Sequence, residues 1–181
     1  MNTYGINLDT ANLGLFVARV VAGLLMAAHG SQKLFGWFRG YGLSGTSGFF
    51  EQLGFQPGRA FAALAGSAEF ISGLLVALGF LGPVGPALMV SVMVVAMITV
   101  HRGNGLLATS NGVEVPLLYS AVVVGFALTG FGAFSLDAFV GLAGRWPVAV
   151  TWTVLAVGVL GGLANIALRR RPAPASATTA P

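Results

Sequence analysis

Long apolar runs separated by short polar or glycine-rich segments dominate the chain. A helix needs about 20 apolar residues to span the ~30 Å hydrocarbon core of a bilayer, and five runs approach that length. Proline cannot continue a helix and glycine turns the chain, so the segment GPVGP at 82–86 separates the second run from the third. The predicted spans are residues 11–35, 59–81, 84–100, 115–134 and 147–168.

The composition agrees with a membrane protein. Hydrophobic residues make up 56% of the chain and charged residues only 8%, where a soluble protein has about 25% charged residues. Because so few charged residues cannot cover the surface of a soluble protein, most of this protein's surface must face lipid. The net charge of +4 does not indicate nucleic-acid binding, because the basic residues are scattered at segment ends. The chain has no cysteine, which excludes disulfides, iron–sulfur ligation and thiol chemistry by this chain alone.

The distribution of Lys and Arg predicts the orientation, because cytoplasmic loops carry an excess of both. If the N-terminus is outside, only Arg145 among the loop cations lies outside. The cations that then lie in the cytoplasm are Lys33, Arg39, Arg59, Arg102 and 169–171. The predicted fold is therefore an all-α membrane protein with a four-helix transmembrane bundle and a fifth, C-terminal transmembrane helix, N-out and C-in.

This topology divides the chain into four parts. Residues 1–10 form an extracytoplasmic N-terminus, 11–137 the four-helix membrane core, 147–168 the additional helix, and 169–181 a disordered, Pro-rich cytoplasmic tail. Within the core, residues 46–53 are predicted to form a short helix in the inner interface, with Phe49 and Phe50 in lipid.

Two charged residues, Arg19 and Glu69, fall inside predicted spans. An unpaired charge at the bilayer centre costs at least about 2.5–3.5 kcal/mol, so both should face the bundle interior and pair with each other. The pair is either a structural salt bridge that fixes helix register or a polar site that grips a headgroup or relays protons. Glycine and alanine line one face of each of these two helices, which favours close packing. Gly158 and Gly162 form a GxxxG motif in the last span, suited to helix packing or dimerisation.

A second group of polar residues lies at the cytoplasmic ends of the spans: His29, Lys33, His101, Arg102 and Glu114. Together they could hydrogen-bond a quinone carbonyl and deliver a proton, because histidine titrates near neutral pH. Glu114 could instead complement the positive N-terminal dipole of its own helix. His29, His101 and Glu114 are metal-ligating residue types, but no close spacing supports a metal site and none is predicted.

Over residues 13–137, several stretches resemble the DoxX family of bacterial membrane proteins in their sequence, order and spacing. They are HGSQKLFG at 29–36, GLSGTSGFFEQLGF at 42–55, AGSAEFISGLLVALGFLGP at 65–83, and HRGNG with NGVEVPLL at 101–118. The resemblance implies a four-helix core in the bacterial plasma membrane and a link to quinone redox chemistry, because related proteins are named as subunits of a thiosulfate:quinone oxidoreductase. The matching candidate residues are Arg19, His29, Lys33, Glu69, Glu114 and Asp137. The fifth helix and the tail depart from the family pattern.

The leading hypothesis is a quinone-binding or quinone-linked subunit of a membrane redox complex. Its catalytic residues would be Arg19, Glu69 and His29, and its quinone-binding residues Lys33, His101 and Glu114. The chain shows no electron-carrying cofactor site, so a partner or substrate would donate the electrons. The alternatives are an exporter of small hydrophobic compounds, with a polar path through the membrane, or a non-catalytic scaffold for soluble redox enzymes. A homo-oligomer is compatible with each of them.

Overall fold

The computed structural model describes residues 8–170, and this part of the chain contains helices and no strands. The fourth helix continues into a π-helical turn, Met97–His101, and a 3₁₀ turn, Arg102–Asn104. The α-helices are α1 Leu8–Phe35, α2 Gly42–Gln52, α3 Gly58–Leu78, α4 Val84–Ala96, α5 Glu114–Thr129, α6 Leu136–Phe139 and α7 Val148–Ala167.

Four helices in the described part are long and apolar enough to cross a membrane: α1, α3, α4 with its extension to Asn104, and α7. The fourth predicted span, 115–134, corresponds to α5, which is apolar but has only 16 residues. At 1.5 Å per residue it covers about 24 Å, which is less than the ~30 Å of a typical hydrocarbon core. The protein is thus an all-helical, multi-pass membrane protein with four clear candidate spans.

The helices alternate in direction, so their ends gather at two ends of the bundle. One end, called the basic end because Lys33, Arg59, Arg102 and Arg169 lie there, contains the C-terminus of α1, helix α2, the N-terminus of α3 and the C-termini of α4 and α7. The Asp137 end carries the α3–α4 turn and α6. Residues 1–7 and 171–181 lie outside the described residues, and so do the predictions made for them.

Helices α1 and α3 pack with their backbones almost in contact, as the small-residue faces predict. A Cβ atom added at Gly30 would lie 2.4 Å from the backbone N of Phe70, and one at Gly73 would lie 2.4 Å from that of Ala27. Only glycine leaves room for such an approach. This contact fixes the register of the two helices that carry the charged residues.

The GxxxG motif of α7 packs against α4 of the same chain. A Cβ atom at Gly158 would lie 2.4 Å from the carbonyl oxygen of Ala87, and one at Gly162 would lie 2.7 Å from that of Ser91. Of the two roles considered for the motif, the structure therefore supports helix packing within the chain. Helix α4 is central, because it also packs on α3 and α5.

Two predicted helices end earlier than expected because glycine adopts a left-handed conformation after them. Helix α3 stops at Leu78, before Gly79 with φ 66°, rather than at 81. Helix α5 stops at Thr129, before Gly130 with φ 77°, rather than at 134. Residues 130–134 are thereby free to run as a loop over the end of α3.

The predicted interfacial helix exists but is longer and packs differently. Helix α2 begins at Gly42 rather than 46. Phe50 is buried inside the protein, with its ring centroid 5.5 Å from that of Phe55, so its predicted lipid exposure is wrong. Phe49 remains exposed.

Candidate functional site

The predicted pair of Arg19 and Glu69 does not form. Arg19 is 1% exposed, and its guanidinium donates hydrogen bonds to the backbone carbonyls of Ala77 and Phe134. Glu69 is also buried, but it pairs with Lys33, whose Nζ lies 2.6 Å from Oε1 and 2.5 Å from Oε2. Both charges face the protein interior as predicted, with different partners.

The register of α1 and α3 explains the difference. Gly30 lies against Gly66 and Phe70, so Glu69 stands level with the turn of α1 that contains Gly30. Helical side chains lean toward the N-terminus of their own helix. Lys33 therefore reaches back toward Glu69, whereas Arg19 leans away from it toward the Asp137 end. Along α1 the two cations are separated by about 21 Å at 1.5 Å per residue.

Arg19 and Asp137 together hold the turn between α3 and α4. A cation is favourable at the negative C-terminal end of a helix dipole, and Arg19 reaches the last turn of α3. The buried Asp137 carboxylate accepts hydrogen bonds from the backbone N–H groups of Leu81, at 2.9 Å, and Gly82, at 2.8 Å. Both turn residues have positive φ angles. These contacts support a structural role for Arg19 and Asp137.

A cavity of about 300 Å³, called cavity one, lies near the basic end between α1, α2, α3, α4 and α7. This volume is at the lower limit of small-molecule sites, which are mostly apolar with a few placed polar groups. The polar residues that line it are Lys33, Glu69, Ser91, Thr99, His101 and Asn165. The aromatic residues that line it are Phe49, Phe50, Phe55 and Phe61.

The Lys33–Glu69 ion pair is the charged element of cavity one. The side chain of Glu69 is 6% exposed and that of Lys33 is 29% exposed. An ammonium group has three N–H donors, and two of them meet the two carboxylate oxygens. One donor of Lys33 is left for a ligand, and the carboxylate holds the ammonium in position.

His101 lines cavity one from the π-helical turn at the end of α4. Its Nδ1 lies 2.8 Å from the carbonyl oxygen of Asn111. A carbonyl oxygen can only accept, so in the neutral ring Nδ1 carries the proton and Nε2 is an acceptor. Single π-helical turns are frequent at functional sites, because they redirect the side chains that follow.

The other predicted site residues lie elsewhere. His29 is on an exposed face of α1, with its ring 6.4 Å from that of Tyr119 in an edge-to-face contact. Glu114 accepts a hydrogen bond of 2.6 Å from the backbone N–H of Ala108 and so closes the loop before α5. Neither lines cavity one. Among residues 8–170, His, Asp and Glu side chains do not converge in groups of three that would hold a metal ion.

Residues 14–102 match the model of the DoxX family. The chain belongs to the DoxX family. The matched stretch contains α1 to α4 and with them Lys33, Glu69 and His101, the three predicted residues that line cavity one. No curated protein and no solved structure matches the chain.

Asn165 is the site residue that the sequence reasoning missed. It lies near the end of α7, beyond the DoxX match, and lines cavity one opposite the helices of the family core. A polar amide in a membrane helix is expected to face a partner or a cavity rather than lipid. Because α7 lies outside the family pattern, the resemblance gives no reason to place Asn165 in the site.

The end of α7 also fastens one wall of cavity one. Nε of Arg169 donates a 2.7 Å hydrogen bond to the carbonyl of Leu53, and its guanidinium lies 5.5 Å from the ring centroid of Phe55. The backbone N–H of Arg170 donates to the carbonyl of Gly54 at 2.8 Å. The tail was predicted to be disordered from residue 169. Its first two residues instead bind the α2–α3 loop, because that loop offers free carbonyls and an aromatic face.

These contacts of Arg169 and Arg170 with the α2–α3 loop, called the clasp, allow a matched pair of variants. Arg169→Gln removes a side chain that bonds the loop, whereas Arg170→Gln removes an equal charge from a residue whose bond to this loop is made by its backbone. We expect Arg169→Gln to increase hydrogen exchange of the Leu53–Phe55 amides, because a charge-assisted bond worth about 1.5–3 kcal/mol is lost. Arg170→Gln should leave that exchange unchanged. Equal exchange in both variants would mean that the clasp does not hold the loop.

Proposed function

We propose that this DoxX family member binds a quinone in cavity one and acts as a quinone-linked subunit of a membrane redox complex in the bacterial plasma membrane. The observation that carries the proposal is the Lys33–Glu69 ion pair, which lies in the wall of a mostly apolar, phenylalanine-lined cavity between membrane helices. An intramembrane charged pair at a cavity is a functional site by default.

The chemistry of a quinone fits the lining of cavity one. Its headgroup is a flat ring with carbonyl acceptors, and its tail is apolar. The third N–H of Lys33 and the amide of Asn165 are donors for the carbonyls, while Phe55 and Phe61 offer aromatic faces to the ring. Glu69 orients Lys33, and the imidazole of His101 can act as a proton donor or acceptor for the headgroup. The electrons come from a partner or a substrate.

The proposal also includes the orientation. With the N-terminus outside and the C-terminus inside, the basic end faces the cytoplasm, which the excess of Lys and Arg at this end supports. Cavity one then lies in the cytoplasmic half of the membrane, where an amphipath can enter sideways from the bilayer and soluble redox enzymes can approach the adjoining loops. Export across the membrane would need opening at the other end, where Arg19 and Asp137 bind the α3–α4 turn.

The proposal is tested by measuring the quinone that copurifies with the protein in mild detergent, by lipid extraction and a redox difference spectrum. We expect about one quinone per chain. Glu69→Gln should lower quinone affinity roughly 10- to 150-fold, because a charge-assisted hydrogen-bond network worth about 1.5–3 kcal/mol is disrupted. His29→Ala is the control, because His29 is titratable and on the same helix as Lys33 but does not line cavity one. Absence of quinone, or equal loss in both variants, would refute the proposal.

A further inference from the structure

A second cavity, called cavity two, opens at the basic end beside cavity one. Its volume is about 580 Å³, and it shares Lys33 and Phe49 with its neighbour. Its polar side chains are Gln32, Lys33, Arg39, Tyr41, Thr46 and Gln52. Two of these side chains are cationic and no carboxylate lines the cavity, so its electrostatic preference is for an anion.

We propose that cavity two binds an oxyanion of the phosphate class. Arg39 is the main reason, because its guanidinium forms no ion pair with any residue from 8 to 170. A guanidinium presents planar, paired donors that match phosphate oxygens. Lys33 also lines cavity two but is already paired with Glu69, so Arg39 is the cation that would hold the anion. The inference does not depend on what occupies cavity one.

Thr46 offers cavity two a hydroxyl that no group of the described chain uses. It is 6% exposed and lines cavity two, yet its hydroxyl bonds to no group in the described chain. Helical hydroxyls elsewhere in this protein, those of Thr99, Ser120 and Thr129, donate to the carbonyl four residues earlier. Among residues 8–170 the buried side-chain atoms without a partner are Arg19 Nε and Trp146 Nε1, so the unbonded Thr46 hydroxyl is accessible from cavity two and can donate to a ligand acceptor.

The position of cavity two suits a phosphate at the membrane surface. It adjoins the first turn of α2, whose N-cap residue Tyr41 makes no side-chain cap, so the partial positive charge of the helix N-terminus is available. Tyr41, which lines the cavity, is exposed, and so are Phe35, Trp37 and Phe38 in the segment that precedes it. Such residues lie at the level of lipid headgroups. A phospholipid phosphate reaches this depth from the bilayer, and dissolved phosphate reaches it from water.

Native mass spectrometry of the delipidated full chain tests the proposal with three probes: phosphatidylglycerol, diacylglycerol with the same acyl chains, and inorganic phosphate. We expect one phosphatidylglycerol to be retained and diacylglycerol to be lost. Arg39→Gln should weaken retention at least about tenfold, because a hydrogen bond to a charged group is removed. Thr46→Val, which preserves shape, should weaken it about 2- to 10-fold.

Arg59→Gln is the matched control, since Arg59 carries the same charge at the same end but does not line cavity two. Inorganic phosphate that binds in an Arg39-dependent manner and displaces the lipid would identify the dissolved anion as the ligand. Phosphate without effect would identify the lipid phosphate. Equal retention of diacylglycerol, no binding of either phosphate-bearing probe, or equal losses in Arg39→Gln and Arg59→Gln would overturn the proposal.

Discussion

Glu69→Leu is expected to lower the apparent Tm of the detergent-solubilised protein by about 6–12 °C. The substitution leaves the Lys33 ammonium beside an apolar cavity without its carboxylate. Breaking a buried pair costs about 3–5 kcal/mol, and the lower value applies because Lys33 is 29% exposed. Each kcal/mol corresponds to about 2–4 °C in a protein of this size. Intrinsic tryptophan fluorescence during heating measures the change.

The double variant Lys33→Met with Glu69→Leu separates stability from function. Replacing both partners with apolar side chains of similar volume is often neutral, so its Tm should return close to that of the native protein. Quinone binding should stay lost in this variant, because the donor and its anchor are both gone. A double variant that regains stability and also binds quinone would show that the ion pair is structural only.

Gly30→Ala is expected to disrupt the packing of α1 on α3 and to destabilise the protein by about 3 kcal/mol or more, the upper range for overpacking. The added Cβ would meet the backbone of α3, 2.4 Å from the N of Phe70 and 2.6 Å from the carbonyl oxygen of Gly66. Backbone atoms cannot move aside as a flexible side chain can, so the two helices must separate. Fluorescence-detected size-exclusion chromatography should show a smaller monodisperse fraction and a lower Tm.

Gly14→Ala is the control in the same helix. A Cβ atom at Gly14 meets nothing within 4 Å, so this variant should be neutral or slightly stabilised by the better helix propensity of alanine. If Gly30→Ala behaved like Gly14→Ala, the close approach of α1 and α3 would be refuted. The Lys33–Glu69 distance would then be in question too, because the approach of these two helices sets it.

The positions of the four long apolar helices were predictable from the sequence, because an apolar run of membrane length has few other uses. The small-residue faces of α1 and α3 were also recognised correctly. The pairing of Arg19 with Glu69 was not predictable, since it depends on register. Counting residues from predicted helix ends placed both charges near one depth. The glycine contacts instead set Glu69 level with Gly30, which lies about 17 Å from Arg19 along α1.

The sequence predicted at which end of the bundle the candidate site lies, but not which side chains at that end face a common cavity. His29, Lys33, His101 and Glu114 all lie toward the basic end, because helix direction alone decides this. Which of them face a common cavity depends on how each helix is rotated against its neighbours, and that follows from packing. Lys33 and His101 face cavity one, whereas His29 faces outward and Glu114 faces its own loop.

The π-helical turn Met97–His101 sets the direction in which the His101 side chain points around the axis of α4. A π-turn holds about one residue more than an α-turn, and each residue in an α-helix advances the chain by about 100°. If this turn tightened into an ordinary α-turn, His101 would swing by roughly that angle about a helix axis that itself stays in place. The one extra residue in this π-turn therefore decides which side chain at the end of α4 faces cavity one.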